Sequence, residues 1–412
     1  MTRIAVAGQA LIKEPVAPDS AAGEALVDLL SAADLAISNF EGTLADDGAV
    51  PTKSGVVHAA DPSTPAGLKA LGVSAVTVAN NHLYDFGASG VLASLSAIAG
   101  AGLLAAGAGA DLDAAAAPAF TQAGGLRLAL IGADCGPQAD VVYAAARHAG
   151  INPLRVRRLL TVPAADAQRL RAIVEASGYP LWRRNRTAVG MPVPKTGAAD
   201  DFFGLAVAAG ERVAYGGQVD AADLERLTAA IGAARRQAGL VVVVLHNHHW
   251  EPDWADTPEW LRGLARQLVA AGAGMIACHG APLLGGMEIV DGAPVYYGLG
   301  NLVFHCRPAR AVRYAAAGLD VWSSVVATHC FSADGSLLAI DVAPIHAGAP
   351  AANPADGPAW TAPSLLTGAA SGALLERFLA RSRLAGWSAT VAGGHAILAP
   401  PAPSLLYNKN SV

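Results

Sequence analysis

The amino-acid sequence predicts an α/β fold in which strands and helices alternate along the chain. Short apolar segments of strand length, such as RIAVAGQAL and GLVVVVLH, alternate with longer segments that have helical periodicity. A helix start signal is clearest in TPEWLRGLARQLVAAGAG, where Pro258 falls in the first turn. Polar side chains recur where predicted strands end, and that edge is where α/β sheets bind ligands. These three observations predict layers of sheet and helix.

The predicted elements follow one another in a regular order. The first half of the chain gives strand RIAVAGQAL, helix 21–31, strand DLAISNFEGTL, helix TPAGLKALGV, strand SAVTVANNH, helix 88–100 and strand LRLALIGAD. The second half gives helix VDAADLERLTAAIGAARRQAG, strand GLVVVVLH, helix TPEWLRGLARQLVAAGAG, strand MIACHG, the strand and turn APVYYGLGNLVFH, and helix SGALLERFLARSRLAG. We expect one catalytic domain over residues 1–345. Within it, residues 136–215 are richer in Arg and less periodic, which indicates an insertion or cap. Residues 346–412 are expected to pack on the same domain as a C-terminal extension.

Composition excludes several classes of protein. The 412 residues are 53% hydrophobic and 15% charged, which is enough for a large core. A net charge of −5 argues against a strongly basic nucleic-acid binder. Four Cys without a C-x-x-C pair exclude a disulfide scaffold and a zinc ribbon. The start MTRIAVAGQALIKEP lacks the features of a secretion signal, so we expect a cytoplasmic protein with no membrane partner.

The segment LHNHHWEPDW holds the densest group of titratable side chains. His246 and His248 share one face if the strand continues, and Asp253 follows within the same segment. Imidazoles and carboxylates are the groups that bind metals and move protons near neutral pH. The alternative is an exposed polar loop in which the histidines have no joint role.

A second group follows strand SAVTVANNH. Asn80 and Asn81 end the strand, and His82 and Asp85 are three residues apart, so that in a first helical turn Asp85 can orient the imidazole. The alternative is ordinary turn and capping chemistry, which Asn and Asp also favour.

Further polar residues occur at strand ends. Glu41 follows an apolar strand, and His279 precedes Gly280, which allows a ligand to approach the backbone closely. Gln9 and Asn301 lie at comparable positions, Asn301 in a turn that can line a pocket. A solvated Glu, a core His and a structural turn are the alternatives.

Several of these segments together resemble the CapA-like family, which is linked to poly-γ-glutamate synthesis. The matching segments run in consistent order from residue 4 to about residue 304: SNFEGTL, VTVANNHLYDFG, GAGADLDAA, GINPLRV, VVVVLH and IACHGAPLLGGMEIVDGAPVYYGLGNLVF. The resemblance implies a calcineurin-like metallophosphoesterase fold. That fold is a four-layer α/β sandwich, two mixed sheets flanked by helices, with metals at the strand ends.

The resemblance also implies that only half of a two-metal site is kept. Glu41, Asn80 or Asn81, His246 and His279 match one half. The other half would need an Asp at Gln9, a second late His at Ala281 or Pro282 and, in many fold relatives, a His at Leu11. We therefore expect one divalent ion, bound by Gln9, Glu41, Asn80, Asn81 and His279. Hard oxygen donors favour Ca²⁺, Mg²⁺ or Mn²⁺ over Zn²⁺.

A site with one metal and several imidazoles suits proton transfer better than phosphoester hydrolysis. We expect His82 with Asp85, and His246 or His248 with Asp253, to act from opposite sides of a substrate Cα. The sequence resembles the CapA-like epimerases that invert a residue of a ribosomal lasso-peptide precursor, which makes a peptide the expected partner. Arg183, Arg184 and Arg186 are candidates to hold its terminal carboxylate, with an exposed basic helix face as the alternative. A metal-dependent hydrolase or amide-bond enzyme acting on a phosphoester or γ-glutamyl polymer, and an inactive binding module, are the competing functions.

Overall fold

A computed structural model describes residues 1–44, 48–53, 55–137, 141–193, 199–351 and 359–401. The helices of this part are α1 (Ala21–Ser31), α2 (Thr64–Ala70), α3 (Gly87–Gly100), α4 (Leu112–Ala116), α5 (Ala164–Ala176), α6 (Tyr179–Ala188), α7 (Ala221–Arg235), α8 (Glu259–Ala270), α9 (Pro308–Ala316) and α10 (Gly368–Ala380). Within the described ranges, no helix combines the length and the apolar character needed to span a membrane.

The strands complete the element list. They are β1 (Thr2–Leu11), β2 (Leu35–Phe40), β3 (Thr43–Leu44), β4 (Ala59–Ala60), β5 (Ala75–Thr77), β6 (Leu104–Ala106), β7 (Ala108–Gly109), β8 (Ala119–Ala123), β9 (Leu126–Asp134), β10 (Gly150–Ile151), β11 (Val156–Val162), β12 (Asp200–Phe202), β13 (Leu205–Ala209), β14 (Ala214–Val219), β15 (Leu240–His246), β16 (Met275–His279), β17 (Met287–Val290), β18 (Ala293–Tyr296), β19 (Asn301–Phe304), β20 (Ser323–Phe331), β21 (Leu337–His346), β22 (Ser364–Leu365), β23 (Ser388–Ala392) and β24 (His395–Ala399).

Side-chain caps explain where several helices begin. The Ser20 hydroxyl accepts a hydrogen bond from the Gly23 amide at the start of α1. The Asp220 carboxylate accepts from the amides of Ala222 and Asp223 at the start of α7. Such caps satisfy amides that have no partner inside the helix, and each typically stabilises a helix by about 1 kcal/mol.

Two large mixed sheets form the centre of the molecule. The first has the order β23-β24-β21-β20-β1-β2-β5-β6, with β19 also paired to β1 and β22 to β21. The second has the order β17-β18-β16-β15-β9-β8. Strands β1, β2 and β5 are parallel, as are β9, β15 and β16, so their carboxyl ends gather at common edges.

The alternation of side chains along each strand produces four layers. On β1, Ile4 and Val6 face the second sheet, where they join a core that includes Leu130 and Val242. The intervening Ala5 packs instead against the helices outside the first sheet, in a core containing residues of α1, α2 and α3. A third core lies between the second sheet and helices α7 and α8. The predicted four-layer α/β sandwich is therefore confirmed.

Residues 156–219, of which 194–198 lie outside the described residues, are named the inserted unit below. The described part forms a separate sheet that overlaps the insertion expected at 136–215 and extends beyond its end. Its strand order is β12-β13-β11-β14, and α5 and α6 accompany it. The side chain of Arg155 anchors its base to α7 through a bidentate contact with Asp223, with Nε–Oδ2 and Nη2–Oδ1 distances of 2.6 and 2.8 Å.

The segment APVYYGLGNLVFH differs from the expected single strand and turn. It forms two strands that belong to different sheets, because β18 pairs with β16 and β19 pairs with β1. Gly300 lies between them at φ +70°, a left-handed conformation that glycine adopts without strain. The chain therefore crosses between the two sheets at this point.

Candidate active site

Glu41 is the central carboxylate of the site. It follows β2 at the sheet edge, where its amide donates to the Ala10 carbonyl at 2.9 Å. Its side chain is buried, with Oε1 lying 3.8 Å from His246 Nε2 and 3.9 Å from His82 Nε2. Burial raises the pKa of Glu41 to about 8, and the nearby carboxylates of Asp134 and Asp85 add to the effect against the opposing charge of Lys53.

Two imidazoles converge beside this carboxylate. His246 ends β15, and its Nε2 lies 2.9 Å from His248 Nε2 and 2.9 Å from Asn81 Oδ1. Burial lowers the pKa of His246 well below its usual value and that of His248 to about 3, so both rings are neutral. A neutral imidazole carries one proton. On His246 Nε2 that proton would face three neighbouring atoms at once: Glu41 Oε1, Asn81 Oδ1 and His248 Nε2.

The residues at this point fit a divalent cation. The ligand atoms of Glu41, His246 and His248 all lie within 4.8 Å of one another. Among the described residues, the buried Glu41 Oε2 has no hydrogen-bond partner. A carboxylate with two neutral imidazoles is an established donor set for such ions. His248, expected to act only in catalysis, thus belongs to the candidate metal group.

A chain of polar contacts orients His82. Its Nδ1 lies 3.0 Å from Asp85 Oδ2, so the contact expected from their spacing is present. Lys53 Nζ lies 2.5 Å from Asp85 Oδ1, and the His58 amide donates to Asp85 Oδ2 at 2.7 Å. The carboxylate therefore binds the Nδ1 side of the ring while Nε2 faces Glu41.

Asn80 and Asn81 have different roles. The Asn80 side chain donates from Nδ2 to the Phe40 carbonyl at 2.7 Å, and its Oδ1 accepts from the amides of His82 and Leu83. Both lone pairs of that oxygen are used, which corrects the expectation that Asn80 binds a metal. It shapes the turn, and Asn81 is the amide that faces His246.

Gln9 and His279, the two remaining members of the expected metal set, stand outside the group formed by Glu41, His246 and His248. Gln9 is buried, and its Oε1 accepts a hydrogen bond from the Gly280 amide at 2.6 Å. This oxygen therefore binds a backbone amide where a cation was expected. His279 pairs in register with His246 across β16 and β15. Burial lowers its pKa to about 3, and neither ring nitrogen has a partner within the described part of the chain. His279 is thus a neutral imidazole beside the Glu41 group and outside its closest ligand set.

Asp253 lies apart from the imidazoles that it was expected to support. Its Oδ2 is 3.5 Å from Arg381 Nη2, and its Oδ1 accepts from the Ala255 amide at 3.0 Å. The two tryptophans of HHWEPDW, Trp250 and Trp254, instead pack against each other with ring centroids 4.5 Å apart. Sequence proximity to His248 therefore does not translate into a contact.

Three of the four residues expected to bind substrate, Arg183, Arg186 and Asn301, make contacts within the protein. Arg183 pairs with Asp201, and Arg186 lies over the Trp182 ring at 4.9 Å, both within the inserted unit. Arg184 is exposed on the same helix. Asn301 is fully buried and donates to the carbonyls of Pro282 and Val321 at 3.1 and 2.8 Å, so it ties two loops together.

Sequence analysis missed Lys53 and Asp134. Asp134 ends β9 and pairs in register with His246, and its Oδ2 accepts from Tyr143 Oη at 2.8 Å and from the Gly136 amide at 2.9 Å. Burial raises its pKa to about 7. The strand-end rule that selected Glu41 and His246 applies equally to Asp134. Lys53 lies in a loop and carried no such signal.

Comparison with known proteins gives a match over most of the chain. The model of the family described as bacterial capsule synthesis protein PGA_cap matches residues 3–306. An uncharacterized protein of Sinorhizobium fredii is 28% identical over 68% of this chain and 60% of its own length. A probable polyglutamine synthesis accessory protein of Mycobacterium tuberculosis is 27% identical over 68% of this chain and 58% of its own.

The chain therefore spans about 60% of the length of these curated relatives. The PGA biosynthesis protein CapA of Bacillus subtilis is 36% identical over 84 residues, which are 20% of this chain and 21% of the relative. A solved structure of a protein described as a novel phosphatase, from Mycoplasma pneumoniae, covers 83% of this chain and 92% of its own. Its TM-score is 0.41 and its sequence identity 10%.

Proposed function

The chain belongs to the PGA_cap family of bacterial capsule synthesis proteins, and from this premise we propose that it is a metal-dependent enzyme that transfers protons at a peptide Cα. The observation that carries the proposal is the asymmetry of the site. Glu41, His246 and His248 form one candidate cation site, whereas Gln9 holds the Gly280 amide. Hydrolysis by two metals needs a second, charged set of ligands, so this asymmetry favours acid/base chemistry.

Glu41, His246 and His248 would hold the ion, with Asn81 beside them. A divalent cation held there would stabilise the negative charge that develops on a substrate carbonyl when the neighbouring C–H bond breaks. The two imidazoles favour Mn²⁺ or Zn²⁺ over Ca²⁺ and Mg²⁺, which prefer oxygen ligands. This revises the expectation based on Gln9 and the asparagines.

The protein's own groups provide a proton acceptor and a proton donor. We assign the ring proton of His82 to Nδ1, where Asp85 Oδ2 accepts the hydrogen bond at 3.0 Å. The Nε2 lone pair is then available to take a proton. Lys53 Nζ lies 2.5 Å from the other oxygen of Asp85, and this carboxylate stabilises the imidazolium as it forms. On the second sheet, Asp134 Oδ1 has no partner among the described residues, and we assign it to return a proton from the other side.

We propose that the reaction inverts one Cα from L to D in a ribosomal lasso-peptide precursor in the cytoplasm. The partner is then a precursor peptide, with neither nucleic acid nor membrane involved. The family membership, the cation site of Glu41, His246 and His248 and the oriented His82 support this proposal.

The test is to incubate the protein in D₂O with candidate lasso-peptide precursors, taken from any short open reading frame found beside its gene. We expect one deuterium at one Cα, and hydrolysis with chiral chromatography should identify a D-residue there. His82→Gln should abolish the incorporation, whereas His395→Gln, a change at a half-buried histidine paired with Asp341, should leave it unchanged. Turnover of a phosphodiester without any deuterium incorporation would contradict the proposal.

The second candidate is a metal-dependent amide hydrolase acting on a γ-glutamyl polymer. The family match and the names of the relatives from Mycobacterium tuberculosis and Bacillus subtilis favour it. In that case poly-γ-glutamate should be shortened in a reaction that a chelator stops, and no D₂O exchange should occur on the precursor peptide.

A further inference from the structure

We propose that the inserted unit carries a docking site for an acidic peptide segment with an apolar anchor side chain. Only one part of this proposal rests on the proposed function, namely that the bound segment belongs to the peptide substrate. Its basis is a cavity, an exposed aromatic cluster and a local excess of positive charge, all on residues 156–219.

The cavity lies between α5, α6 and the β12–β13 hairpin. Its volume is about 360 Å³, which can hold one large side chain. The lining is mainly apolar and includes Leu170, Val174 and Phe202. Its charged members are Glu175 and two ion pairs, Arg171 with Asp200 and Arg183 with Asp201. A mainly apolar lining with a few charged groups is typical of a site that takes an apolar anchor.

Exposed apolar side chains are concentrated on the same unit. Among the described residues, half of the large exposed hydrophobic side chains fall within it: Ile173, Leu181, Trp182, Val189, Met191, Phe203, Val213 and Tyr215. Tyr179 links two of them, since its ring stacks on Trp182 at 5.2 Å and contacts Phe203 at 5.0 Å. The patch formed by Tyr179, Trp182 and Phe203 is thus a contiguous exposed aromatic cluster, which is typical of an interaction site.

Phe203 has a backbone conformation that folding alone does not explain. The hairpin pairs Phe202 with Leu205, so Phe203 and Gly204 form a two-residue turn, with φ values of +52° and +96°. Such turns favour Asn-Gly, and a bulky residue in the left-handed region is strained. Phe203 is also 49% exposed, so core burial does not offset the strain. Strain of this kind in an exposed aromatic points to a binding role.

The charge of the unit identifies the occupant as acidic. Residues 156–219 contain nine basic and five acidic residues, whereas the whole chain has a net charge of −5. Arg184 has no ion pair among the described residues, and Arg158 lies over the Tyr215 ring at 5.2 Å. Arginine and aromatic side chains together are characteristic of binding hot spots, and the positive field attracts acidic peptides.

The inserted unit also contacts helix α8, which packs against the loop that follows β15. Gly217 on β14 approaches the Trp260 ring so closely that a Cβ there would lie 2.5 Å from it. The Trp260 ring in turn contacts His249 at 5.6 Å, one residue beyond His248. A peptide held on the unit is thus anchored to an element that packs against the candidate active site.

The test measures binding without turnover, so it stands apart from the deuterium assay. The probes are fluorescein-labelled dodecapeptides with four Asp or Glu and one central Trp, Phe or Leu, and the same peptides with Lys at the acidic positions. We expect fluorescence anisotropy to show micromolar affinity for at least one acidic peptide and affinity at least tenfold weaker for its Lys counterpart.

The decisive variant is Phe203→Asn, because binding and stability should change in opposite directions. Asn tolerates the left-handed turn, so the melting temperature should be unchanged or higher, while affinity falls at least fivefold. Trp182→Ala/Arg184→Glu should lower affinity at least tenfold, whereas Ile397→Asn, at an exposed position on β24, should not change it. Unchanged affinity in Phe203→Asn, or no preference for acidic peptides, would overturn the proposal. A wild-type dimer that Trp182→Ala/Arg184→Glu converts to a monomer would assign the surface to a second copy and also overturn it.

Discussion

Lys53 Nζ lies 2.5 Å from Asp85 Oδ1, and both side chains are almost completely removed from solvent. The pair connects a loop residue to the carboxylate that binds His82 Nδ1, at 3.0 Å on the other carboxylate oxygen. The orientation of the imidazole thus depends on a buried charge pair, and its removal has a predictable cost.

Replacing Lys53 by Met should lower the free energy of unfolding by about 3 kcal/mol, because Asp85 would keep a buried charge without a compensating cation. The double variant Lys53→Met/Asp85→Asn should recover part of that loss, since it removes both charges. Urea unfolding of the three proteins measures this. Equal stability of wild type and Lys53→Met would show that the pair does not carry the charge balance of the site.

The candidate cation site predicts one divalent ion per chain. Glu41→Gln and His248→Ala each remove one member of the ligand group, so elemental analysis after dialysis should fall from about one ion per chain to a small fraction. His395→Ala, which removes a half-buried imidazole on β24 that pairs with Asp341, is the matched control and should keep the ion. Full occupancy in both site variants would place the ion elsewhere.

Ion binding should depend on pH through Glu41. Its pKa is raised to about 8, so the carboxyl is mostly protonated at pH 7 and must lose its proton to act as a ligand. The imidazoles of His246 and His248 are already neutral there and add no pH dependence.

Ion affinity is therefore expected to rise about tenfold per pH unit up to about pH 8 and then to level off. Calorimetry at pH 7 in buffers of different ionisation enthalpy should detect about one released proton. An affinity that is constant between pH 6 and 8 would contradict the role of Glu41.

Acid should destabilise the protein well above the range in which ordinary carboxylates titrate. Burial lowers the pKa of His279 to about 3, of His58 to about 2 and of His329 to about 4. Below about pH 6.5 these histidines are protonated in the unfolded chain but stay neutral in the folded one. Each of them therefore lowers the free energy of unfolding by about 1.4 kcal/mol for every unit by which the pH falls.

The raised pKa values of Glu41 and Asp134 act in the opposite direction, but the buried histidines outnumber these two carboxyls. Unfolding free energies at pH 7.5, 6 and 5 should therefore decrease in that order. His329→Gln, far from the site and bonded to Ile4 and Tyr296, should reduce the slope by one histidine's share. A flat profile would mean that these rings are accessible to protons in the folded state.

The layered fold could be predicted because it depends on local patterns. Helix α3 was expected over 88–100 and spans Gly87–Gly100, and strand β16 ends at His279 as expected. Strands β20 and β21 escaped prediction, although they pair over nine residue positions in the first sheet. The C-terminal third of the chain has a weaker hydrophobic pattern, so these two strands could not be told from loop.

The candidate site was predictable only in part, for a geometric reason. The strand-end rule located Glu41 and His246, because parallel strands place their carboxyl ends together. It could not tell that Asn80 turns inward to bind backbone while Asn81 faces His246, since this depends on side-chain directions in an irregular turn. Asp253 was placed near His248 only because the two are five residues apart in the sequence. The loop between them places the Asp253 side chain at Arg381 instead.

The first and last strands of the inserted unit leave and re-enter the main fold side by side, because Val156 pairs with Val219. Residues paired in this way are separated by only about 5 Å between their Cα atoms, a gap that two or three residues can bridge. A chain with a short linker there should still fold its layered core, and a different module can be grafted at the same point. Substrate choice in such a scaffold can therefore change by exchange of one module while the chemistry beneath it is inherited intact.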